Sequence, residues 1–461
     1  MIEVLNREHP QYRARREMWQ RYHDFYVGGE QLRRNAGQYL VRRQKEPGEV
    51  YRERLERAFY ENYLGSIVDW YAATLLRNEP VITVTGEGEF YGAFLKDADL
   101  EGKSLLEFCR RAFIQALVYQ QSYALIDFPR VRAAAGTRAE EDALGKSRAY
   151  LVSYSPAEVI NWRQDRRGGY EWVVVRTESR FQPEFESPEE VVERRWTYYD
   201  KENFRTWVQT RPGTEAAGSE PAAALEDEGR HALAGMGRVP LVTLEITDGL
   251  WLANKAALLQ QEHFNKSNAL SWALHMGLFA MPVIYSEREW HQIVGEAYYI
   301  QLGPEDKFGW TEPEGHVYRL AAENLERLKD EIYRVCYLMT QAAGREAQAL
   351  AQSAASKQRD QMVTHEVLRA YGDMVKDFLR RTLELVAAAR QDGVTVEVNG
   401  LDQFDVHDFS EELENARRLR DLDISSGTFT REMQKRLALK YLDDASQEVK
   451  SRVAGEIENR L

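Results

Sequence analysis

Residues 250–275 read LWLANKAALLQQEHFNKSNALSWALH, and residues 320–341 read LAAENLERLKDEIYRVCYLMTQ. The first stretch is long enough for about seven helical turns. The second places apolar side chains at alternating three- and four-residue steps between charged flanks, which is typical of a helix that packs against a neighbouring helix. These apolar side chains belong to Leu325, Leu328, Ile332, Val335 and Met339. Two long paired helices are therefore predicted for this half of the chain.

The segments on either side of the second helix differ in composition. The stretch before it, from residue 276 to residue 319, predicts short strands and turns punctuated by proline and glycine. The stretch after it, AAGREAQALAQSAAS (342–356), predicts a loop of small and amide side chains. A long helix from about Lys357 to Gln391, a short strand VTVEV and charged amphipathic helices complete the chain. One side of the long helix is predicted to carry Val363, Val367, Tyr371, Met374 and Phe378.

The first 130 residues predict helices interrupted by two strands. A break is expected at Gly28-Gly29, and one helix is expected over residues 50–78. PVITVT alternates as a strand does, and YALIDFP is predicted to be a strand closed by Pro129. Ser104 and Glu107 have the spacing of a capping box, which predicts the start of a helix. The broad apolar face of the 50–78 helix is predicted to hold Leu55, Phe59, Tyr63, Ile67, Trp70 and Leu75.

From about residue 150 to residue 246 the pattern changes to short strands: AYLVSY, YEWVVVRT, ERRWTYYD, FRTWVQT and PLVTLEI. Their spacing predicts an antiparallel meander. Two segments rich in Ala, Gly and Glu, 131–147 and 211–238, are predicted to be surface loops. The predicted fold class is therefore α+β, mainly helical.

The composition is that of a folded protein: 461 residues, 43% hydrophobic and 29% charged, with a net charge of −13. No run approaches the roughly 18 apolar residues of a membrane span, and the charged N-terminus lacks a secretory signal, so we expect an intracellular protein without a membrane partner. Cys109 and Cys336 are expected to be buried thiols. The acidic balance argues against a protein that grips nucleic acid tightly, since such proteins carry a basic surface.

Two GKS triplets, at 102–104 and 145–147, are reminiscent of a phosphate-binding loop. That loop needs a glycine where Asp97 and Glu140 stand, so a helix cap and a polar loop explain the triplets better. The glycines at 86, 88 and 92 miss the dinucleotide-binding spacing and predict a turn.

No metal-binding or nucleophilic pattern is found, and neither a cofactor nor a metal is expected. Asp402, Asp405 and Asp408 recur at every third residue, but Asp408 with Glu411 is better explained as a helix start. A metal-dependent hydrolase or nuclease that uses these aspartates is the enzyme alternative; the expectation is that the chain is not an enzyme. Arginines alternate with aromatic residues in WQRYHDFY and RAFYENY, and these aromatics are expected to be core.

Three N-terminal stretches resemble portal proteins of tailed bacteriophages and prophages. They are MWQRYHDFYVGG with LRRNAGQYLVRR, then YRERLERAFYENYLGSIVDWYAATLLRNEPVI, then SLLEFCRRAFIQALVYQQSYALIDFP. The order of elements in the second half is also similar to that family, so the resemblance spans nearly the whole chain. The segment 211–238 departs from the family pattern and puts strand boundaries there in doubt.

The resemblance implies a portal fold, assembled as a ring of usually twelve subunits. The implied parts are a wing (1–248), stem helix 1 (249–275), a clip (276–319), stem helix 2 (320–341), a tunnel loop (342–356), a tunnel helix with the return to the wing (357–399) and a helical crown (400–461). The seam of stem helix 2 would bury itself between subunits. The implied DNA-facing residues of the tunnel loop are Arg345, Glu346, Gln348, Gln352, Ser353 and Lys357.

The implied function is a channel at one capsid vertex for packaging and ejection of double-stranded DNA without sequence specificity. The implied partners are further copies of the chain, the terminase large subunit, a head–tail adaptor, and the major capsid and scaffolding proteins. The implied location is the virion, after assembly in the host cytoplasm. The alternative is another oligomeric virion structural protein, either a head–tail adaptor or an internal capsid protein.

Overall fold

The computed structural model describes residues 1–86, 89–130, 136–185, 190–213, 221–277, 281–285, 305, 307–311, 315–338, 354–402, 404, 417–419, 426–442 and 447–459. It confirms the α+β class, with about half of the chain helical. The chain forms two compact units. Unit 1 contains residues 1–23, 68–253 and 358–461, and unit 2 contains residues 24–67 and 254–357.

The N-terminal region is helical, as predicted. Its helices are α1 (Ile2–Leu5), α2 (Pro10–Val27), α3 (Gly29–Tyr39), α4 (Gly48–Glu56) and α5 (Tyr63–Leu75). The predicted break lies at Gly28 and Gly29, whose φ angles are 62° and 50°, a region that favours glycine. Trp19, Tyr22 and Phe25 are buried, so the expectation of core aromatic residues is confirmed for these three residues of WQRYHDFY. In RAFYENY it fails at Phe59, which is exposed.

The prediction of one helix over residues 50–78 was wrong, because the chain leaves the helix between α4 and α5. Asn62 begins α5: its Oδ1 accepts a hydrogen bond from the Gly65 amide at 2.8 Å, while its Nδ2 donates to the Tyr26 carbonyl oxygen at 2.8 Å. A side chain that satisfies two backbone groups at once favours a cap over a continuous helix. As a result Phe59, which was predicted on the buried face, is 40% exposed.

Unit 1 holds the helix predicted to begin at Ser104. Helices α6 (Glu89–Lys96), α7 (Leu105–Tyr119) and α8 (Arg138–Ala143) follow β1 (Val81–Thr85). Ser104 Oγ accepts from the Glu107 amide at 3.1 Å, but the Glu107 carboxylate pairs with Arg111 at 3.1 Å instead of returning to the backbone of Ser104. The predicted capping box is therefore only half formed. Gly92 lies within α6 and not in the predicted turn.

Three strands of the predicted antiparallel meander belong to a five-stranded sheet. Its strands, in spatial order, are β4 (Val159–Gln164), β5 (Tyr170–Phe181), β6 (Val191–Asp200), β7 (Asn203–Pro212) and β8 (Ala224–Arg230). Strand β8 falls in the segment predicted as a loop, because pairing with β7 compensates for its weak strand composition. The strands AYLVSY and PLVTLEI were assigned to the same meander, which was wrong. They form a second sheet of order β3 (Tyr150–Tyr154), β2 (Gln121–Asp127) and β9 (Leu241–Glu245).

The remaining elements begin with the long α9 (Leu252–Gly277), the paired strands β10 (Met281–Tyr285) and β11 (Lys307–Thr311), and α10 (Gly315–Val335). They continue with α11 (Ala354–Arg390), β12 (Thr395–Asn399), α12 (Gly427–Tyr441) and α13 (Gln447–Asn459). Strand β12 pairs antiparallel with β1, more than 300 residues earlier in the chain. No helix in the described part of the chain is long and apolar enough to cross a membrane.

Helix α11 buries most of its predicted face in unit 1. Val367, Tyr371 and Phe378 are buried, whereas Val363 is 48% exposed, so the predicted face begins one turn too early. Gly372 lies at the middle of this helix, where a Cβ atom would overlap the carbonyl oxygen of Leu401. The absence of a side chain at this position is what allows the backbone after β12 to lie against the helix.

Candidate functional site

Helices α9 and α10 form the predicted helix pair, and both lie almost entirely in unit 2. The predicted bounds were 250–275 and 320–341. Helix α9 agrees closely, but α10 begins five residues earlier, at Gly315, and ends at Val335. Its first turn is joined to α9 by the Tyr318 hydroxyl, which donates to the carbonyl oxygen of Ala273 at 3.3 Å.

Helix α10 ends in a capped turn that the sequence pattern does not predict. The Tyr337 amide bonds to the Arg334 carbonyl at 3.1 Å, and the Leu338 amide reaches back to the Tyr333 carbonyl at 2.9 Å. Tyr337 has a φ of 63°. These are the two hydrogen bonds and the left-handed residue of a Schellman motif, with tyrosine in the position that usually holds glycine. The helix was predicted to continue to residue 341 because its apolar spacing continues past this turn.

Three side-chain contacts show that the two helices run antiparallel. Lys255 Nζ lies 2.9 Å from Tyr337 Oη, and Lys266 Nζ lies 2.9 Å from Asn324 Oδ1. The third is the contact of Tyr318 with Ala273. As the position on α9 advances from 255 to 273, its partner on α10 falls back from 337 to 318. The two helices are therefore in contact along most of their length.

A row of amide side chains on α9 holds the N-terminal segment of unit 2. Gln260 accepts from the Leu64 amide at 3.2 Å and donates to the Glu61 carbonyl at 3.0 Å. Asn265 accepts from the Val41 amide at 2.8 Å and donates to the Tyr39 carbonyl at 3.0 Å.

Asn268 accepts from the Phe59 amide at 3.1 Å and donates to the Phe59 carbonyl at 3.0 Å. Each of the three amides thus satisfies two backbone groups that regular secondary structure leaves unpaired. Sequence reasoning missed this role. The only signal is that the helix places uncharged amides where its pattern calls for core residues.

The predicted seam residues lie at different depths in the single chain. Ile332 is fully buried, while Leu325, Leu328 and Val335 are half-buried; Met339 lies outside the described residues. Helices α9 and α10 together form a helical hairpin, and further apolar side chains of this α9–α10 hairpin are exposed to solvent. The exposed ones are Val317 at 63%, Leu320 at 50%, Leu258 at 62% and Leu274 at 44%.

A cleft of about 590 Å³ lies between the two helices and the start of α5. Its lining includes Tyr63, whose ring contacts His263 at 5.1 Å and Tyr333 at 6.1 Å between centroids, both edge-on. Burial raises the pKa of Tyr63, and the hydrogen bond to Glu61 adds to this effect. Burial lowers the pKa of His263, although Glu61 and Glu326 oppose this effect. The cleft lining carries four carboxylates and two arginines: Glu61, Glu323, Glu326, Asp330, Arg319 and Arg327.

Of the six predicted tunnel-loop residues, only Lys357 has a described backbone. Arg345, Glu346, Gln348, Gln352 and Ser353 lie outside the described residues. The backbone of Lys357 belongs to α11, and its side chain lies outside the described part of the chain.

The sequence motifs with possible chemistry have structural roles where they are described. Lys103 of the first GKS triplet pairs with Asp99 at 2.7 Å and Glu101 at 2.5 Å, so its charge is neutralised within its own loop. The Ser147 hydroxyl of the second triplet donates to Asp142. Of the three spaced aspartates only Asp402 is described, and no group of three potential metal ligands occurs among the described residues.

Both cysteines are buried thiols outside any disulfide, as expected. Burial raises the pKa of each thiol, Cys109 and Cys336, to about 12. A thiol with such a pKa is neutral at physiological pH, so neither residue is activated as a nucleophile.

No model of a protein family matches the chain, and no curated protein matches it. Among solved structures it is similar to a protein in the neck of an empty gene transfer agent (GTA) particle computed with C6 symmetry. That likeness has a TM-score of 0.45 and 12% identity, over 82% of this chain and 90% of the other. It is also similar to a protein in the virion of the native GTA particle, with a TM-score of 0.43 and 12% identity, over 88% and 97% of the two chains.

Proposed function

We propose that the chain is a subunit of a ring-shaped virion component, the portal of a tailed bacteriophage, which carries double-stranded DNA through one capsid vertex. The resemblance of its N-terminal stretches to portal proteins supports this assignment. The structural observation that carries it is the apolar surface that the α9–α10 hairpin leaves uncovered. In the proposed ring, the hairpin of each subunit forms one segment of the channel wall and packs against the hairpins of its two neighbours.

The uncovered apolar residues follow the helix that was predicted to contact a neighbour. Val317 and Leu320 are exposed, and Leu325, Leu328 and Val335 are only half-buried. Isolated apolar residues are normal on a protein surface, but several of them along one helix are typical of an interaction site. Covering each such side chain contributes up to about 1.5–3 kcal/mol. A second copy that covers this series by a rotation about one axis produces a closed ring.

The hairpin is also anchored well enough to serve as a wall element. Gln260, Asn265 and Asn268 hold α9 through six hydrogen bonds to the backbone of residues 39–64. Because these groups would be unsatisfied if α9 moved away, they resist displacement of the helix. A ring built from such hairpins keeps its bore while a duplex passes.

The charge of the chain suits transport better than tight binding. Each phosphate that a fixed cation neutralises adds affinity through counterion release. The chain has a net charge of −13, and the predicted tunnel loop contains a single cation, Arg345. DNA would therefore slide without being gripped, and in this proposal the ATP chemistry belongs to a separate terminase.

Purified protein imaged by negative-stain electron microscopy tests the ring. We expect rings with a central hole and a projecting stem for the wild type, and loss of rings for the double substitution Val317→Glu with Leu320→Glu. Leu225→Glu, at an exposed apolar residue of β8, is the matched control and should still form rings. A wild type that stays monomeric at every concentration, or a double variant that forms unchanged rings, would contradict the proposal.

The DNA role needs a separate test in assembling particles. A phage that carries a deletion of residues 345–352 should build heads but fail to package DNA or to retain it. Normal packaging together with normal retention would argue for a different structural component of the virion, such as an adaptor.

A further inference from the structure

A polar cleft of about 380 Å³ lies on one face of the five-stranded sheet in unit 1. Its lining residues are Asn6, Arg176, Thr177, Glu178 and Arg194. The volume leaves room for on the order of ten water molecules, or for a small anion with part of its hydration shell. The portal proposal assigns no role to this cleft.

Strand register gathers arginines on this face. Arg176, Glu178 and Arg180 alternate along β5, and Arg194 of β6 lies directly opposite Glu178. Arg211 of β7 lies opposite Val192 of β6, which is two residues before Arg194 and on the same face. Since alternate residues of a strand share a face, the four guanidinium groups belong to the same side of the sheet.

Glu178 cannot neutralise this cluster. Its carboxylate lies 2.9 Å from Arg194, 3.6 Å from Arg211 and 3.9 Å from Arg180. One negative charge is thus shared by three guanidinium groups, of which only that of Arg194 is at hydrogen-bonding distance. The cluster keeps a local positive charge in a chain that is acidic overall.

Arg176 has three polar contacts in the cleft, and all of them are long. Its contacts are 3.4 Å to Asn6 Oδ1, 3.5 Å to the Tyr12 hydroxyl and 3.6 Å to Glu8, whereas charge-assisted hydrogen bonds are about 2.7–2.9 Å long. Glu8 is itself paired with Arg16 at 3.0 Å. The side chain of Arg176 is 26% exposed, so it has lost much of its hydration without gaining a close anion. A partly desolvated charge in this condition favours binding of a counter-charge.

Asn6 is held in place beside Arg176. Its Oδ1 accepts a hydrogen bond from the indole nitrogen of Trp196 at 3.1 Å, and Trp196 is fully buried. An amide whose oxygen is occupied in this way can offer its NH2 group to an acceptor. The cleft therefore combines two guanidinium groups with a positioned neutral donor.

We propose that this cleft binds a phosphate group between Arg176 and Arg194, with Asn6 as an additional donor. Guanidinium groups on two strands and an amide from the N-terminal segment approach from different directions. This arrangement suits the several oxygens of a phosphate better than the two coplanar oxygens of a carboxylate. The site stands whether or not the chain forms a ring.

Calorimetric titration of the full chain with inorganic phosphate, at constant ionic strength, tests the site. We expect saturable binding that Arg176→Gln weakens by about tenfold or more, because the variant loses a hydrogen bond between two charged groups. Arg176→Lys keeps the charge but loses the forked donor and should bind with intermediate affinity. The matched control is Arg195→Gln, on the other face of the neighbouring strand β6, where Arg195 pairs with Glu193 and Glu226. This variant should bind as the wild type does.

Three results would overturn the proposal: no saturable phosphate binding by the wild type, an equal loss in the Arg195 control, or equally tight binding of acetate. The last result would point to an acidic protein segment as the occupant. Circular dichroism of each variant separates loss of binding from loss of folding. A short DNA duplex then identifies the source of the phosphate. Duplex binding that depends on Arg176 indicates a nucleic-acid phosphodiester, and binding of inorganic phosphate alone indicates a free phosphate.

Discussion

Lys255 and Tyr337 close one end of the helical hairpin: Nζ of Lys255 lies 2.9 Å from Oη of Tyr337 and 4.6 Å from the centroid of its ring. The same tyrosine occupies the left-handed position that ends α10. The lysine thus reaches the C-terminal end of that helix, where unpaired carbonyl groups favour a cation. A single side chain therefore links the start of α9 to the termination of α10.

Removing this contact should lower the free energy of unfolding, by less when only the hydrogen bond is lost than when the hydrogen bond and the contact with the ring are both lost. Tyr337→Phe removes the hydrogen bond but keeps the aromatic face, and should lower the free energy of unfolding by about 1 kcal/mol. Lys255→Met removes both interactions and should cost about 1–3 kcal/mol. Denaturant titration of the single and double variants measures the coupling. Lys266→Met, which breaks an exposed contact of α9, should cost less than about 0.5 kcal/mol; additive losses for Lys255 and Tyr337 would show that the two residues are not coupled.

The amide side chains of Gln260, Asn265 and Asn268 on α9 should contribute strongly to the stability of the folded protein, although they are polar. Asn268→Leu leaves the amide and carbonyl groups of Phe59 without their partner, so we expect a loss of about 2–4 kcal/mol in the free energy of unfolding. Asn324→Ala, which removes only the exposed hydrogen bond between Lys266 and Asn324, is the control, with an expected change within about 0.5 kcal/mol. If Asn268→Leu proved as stable as the wild type, apolar contact and not hydrogen bonding would be what holds the segment.

Gly372 should tolerate no side chain. Gly372→Ala places a Cβ against the Leu401 carbonyl oxygen, and we expect a loss of at least about 2 kcal/mol although alanine favours a helix. Gly455→Ala in α13 is the matched control, because nothing lies within 4 Å of its Cβ position. That variant should gain up to about 1 kcal/mol. Thermal unfolding of the two variants should therefore shift in opposite directions, and a shift of both to higher temperature would contradict the close approach at Gly372.

The ion pair of Glu46 with Arg54 should make stability depend on acid pH. Both side chains are buried, with Arg54 Nη1 2.8 Å from each Glu46 carboxylate oxygen. Burial alone would raise the pKa of Glu46, but hydrogen bonds from Arg54 and Arg43 outweigh it, and the pKa lies below its ordinary value of 4.5. Since the folded state holds this carboxylate ionised, the stabilisation is present above pH 4.5 and is lost as the pH falls through the lowered pKa.

Glu46→Gln should therefore be less stable than the wild type near neutral pH by about 1–3 kcal/mol, with the difference shrinking in acid. Glu49→Gln, an exposed position on α4, should differ little from the wild type at every pH. Unfolding midpoints measured from about pH 3 to pH 7 check both variants. A difference for Glu46→Gln that stays constant with pH would show that the pair does not titrate as proposed.

The amino-acid sequence by itself determined the elements whose signal is local. The periodicity of LWLANKAALLQQEHFNKSNALSWALH predicts α9, alternating runs predict the meander strands, and Gly28-Gly29 predicts a break, because each depends on neighbours along the chain. The antiparallel contact of α9 with α10 follows from the same patterns once the two helices are present. The residues predicted to face DNA remain predictions.

Only the tertiary structure decided where those elements end and what they contact. The break between α4 and α5 depends on Asn62 reaching Tyr26, β8 depends on its pairing with β7, and β1 finds its partner β12 across the length of the chain. The turn at Tyr337 likewise follows from contacts with α9. In each case a distant group satisfies a hydrogen bond or fills a space, and that free energy exceeds the small local preferences on which a sequence pattern is based.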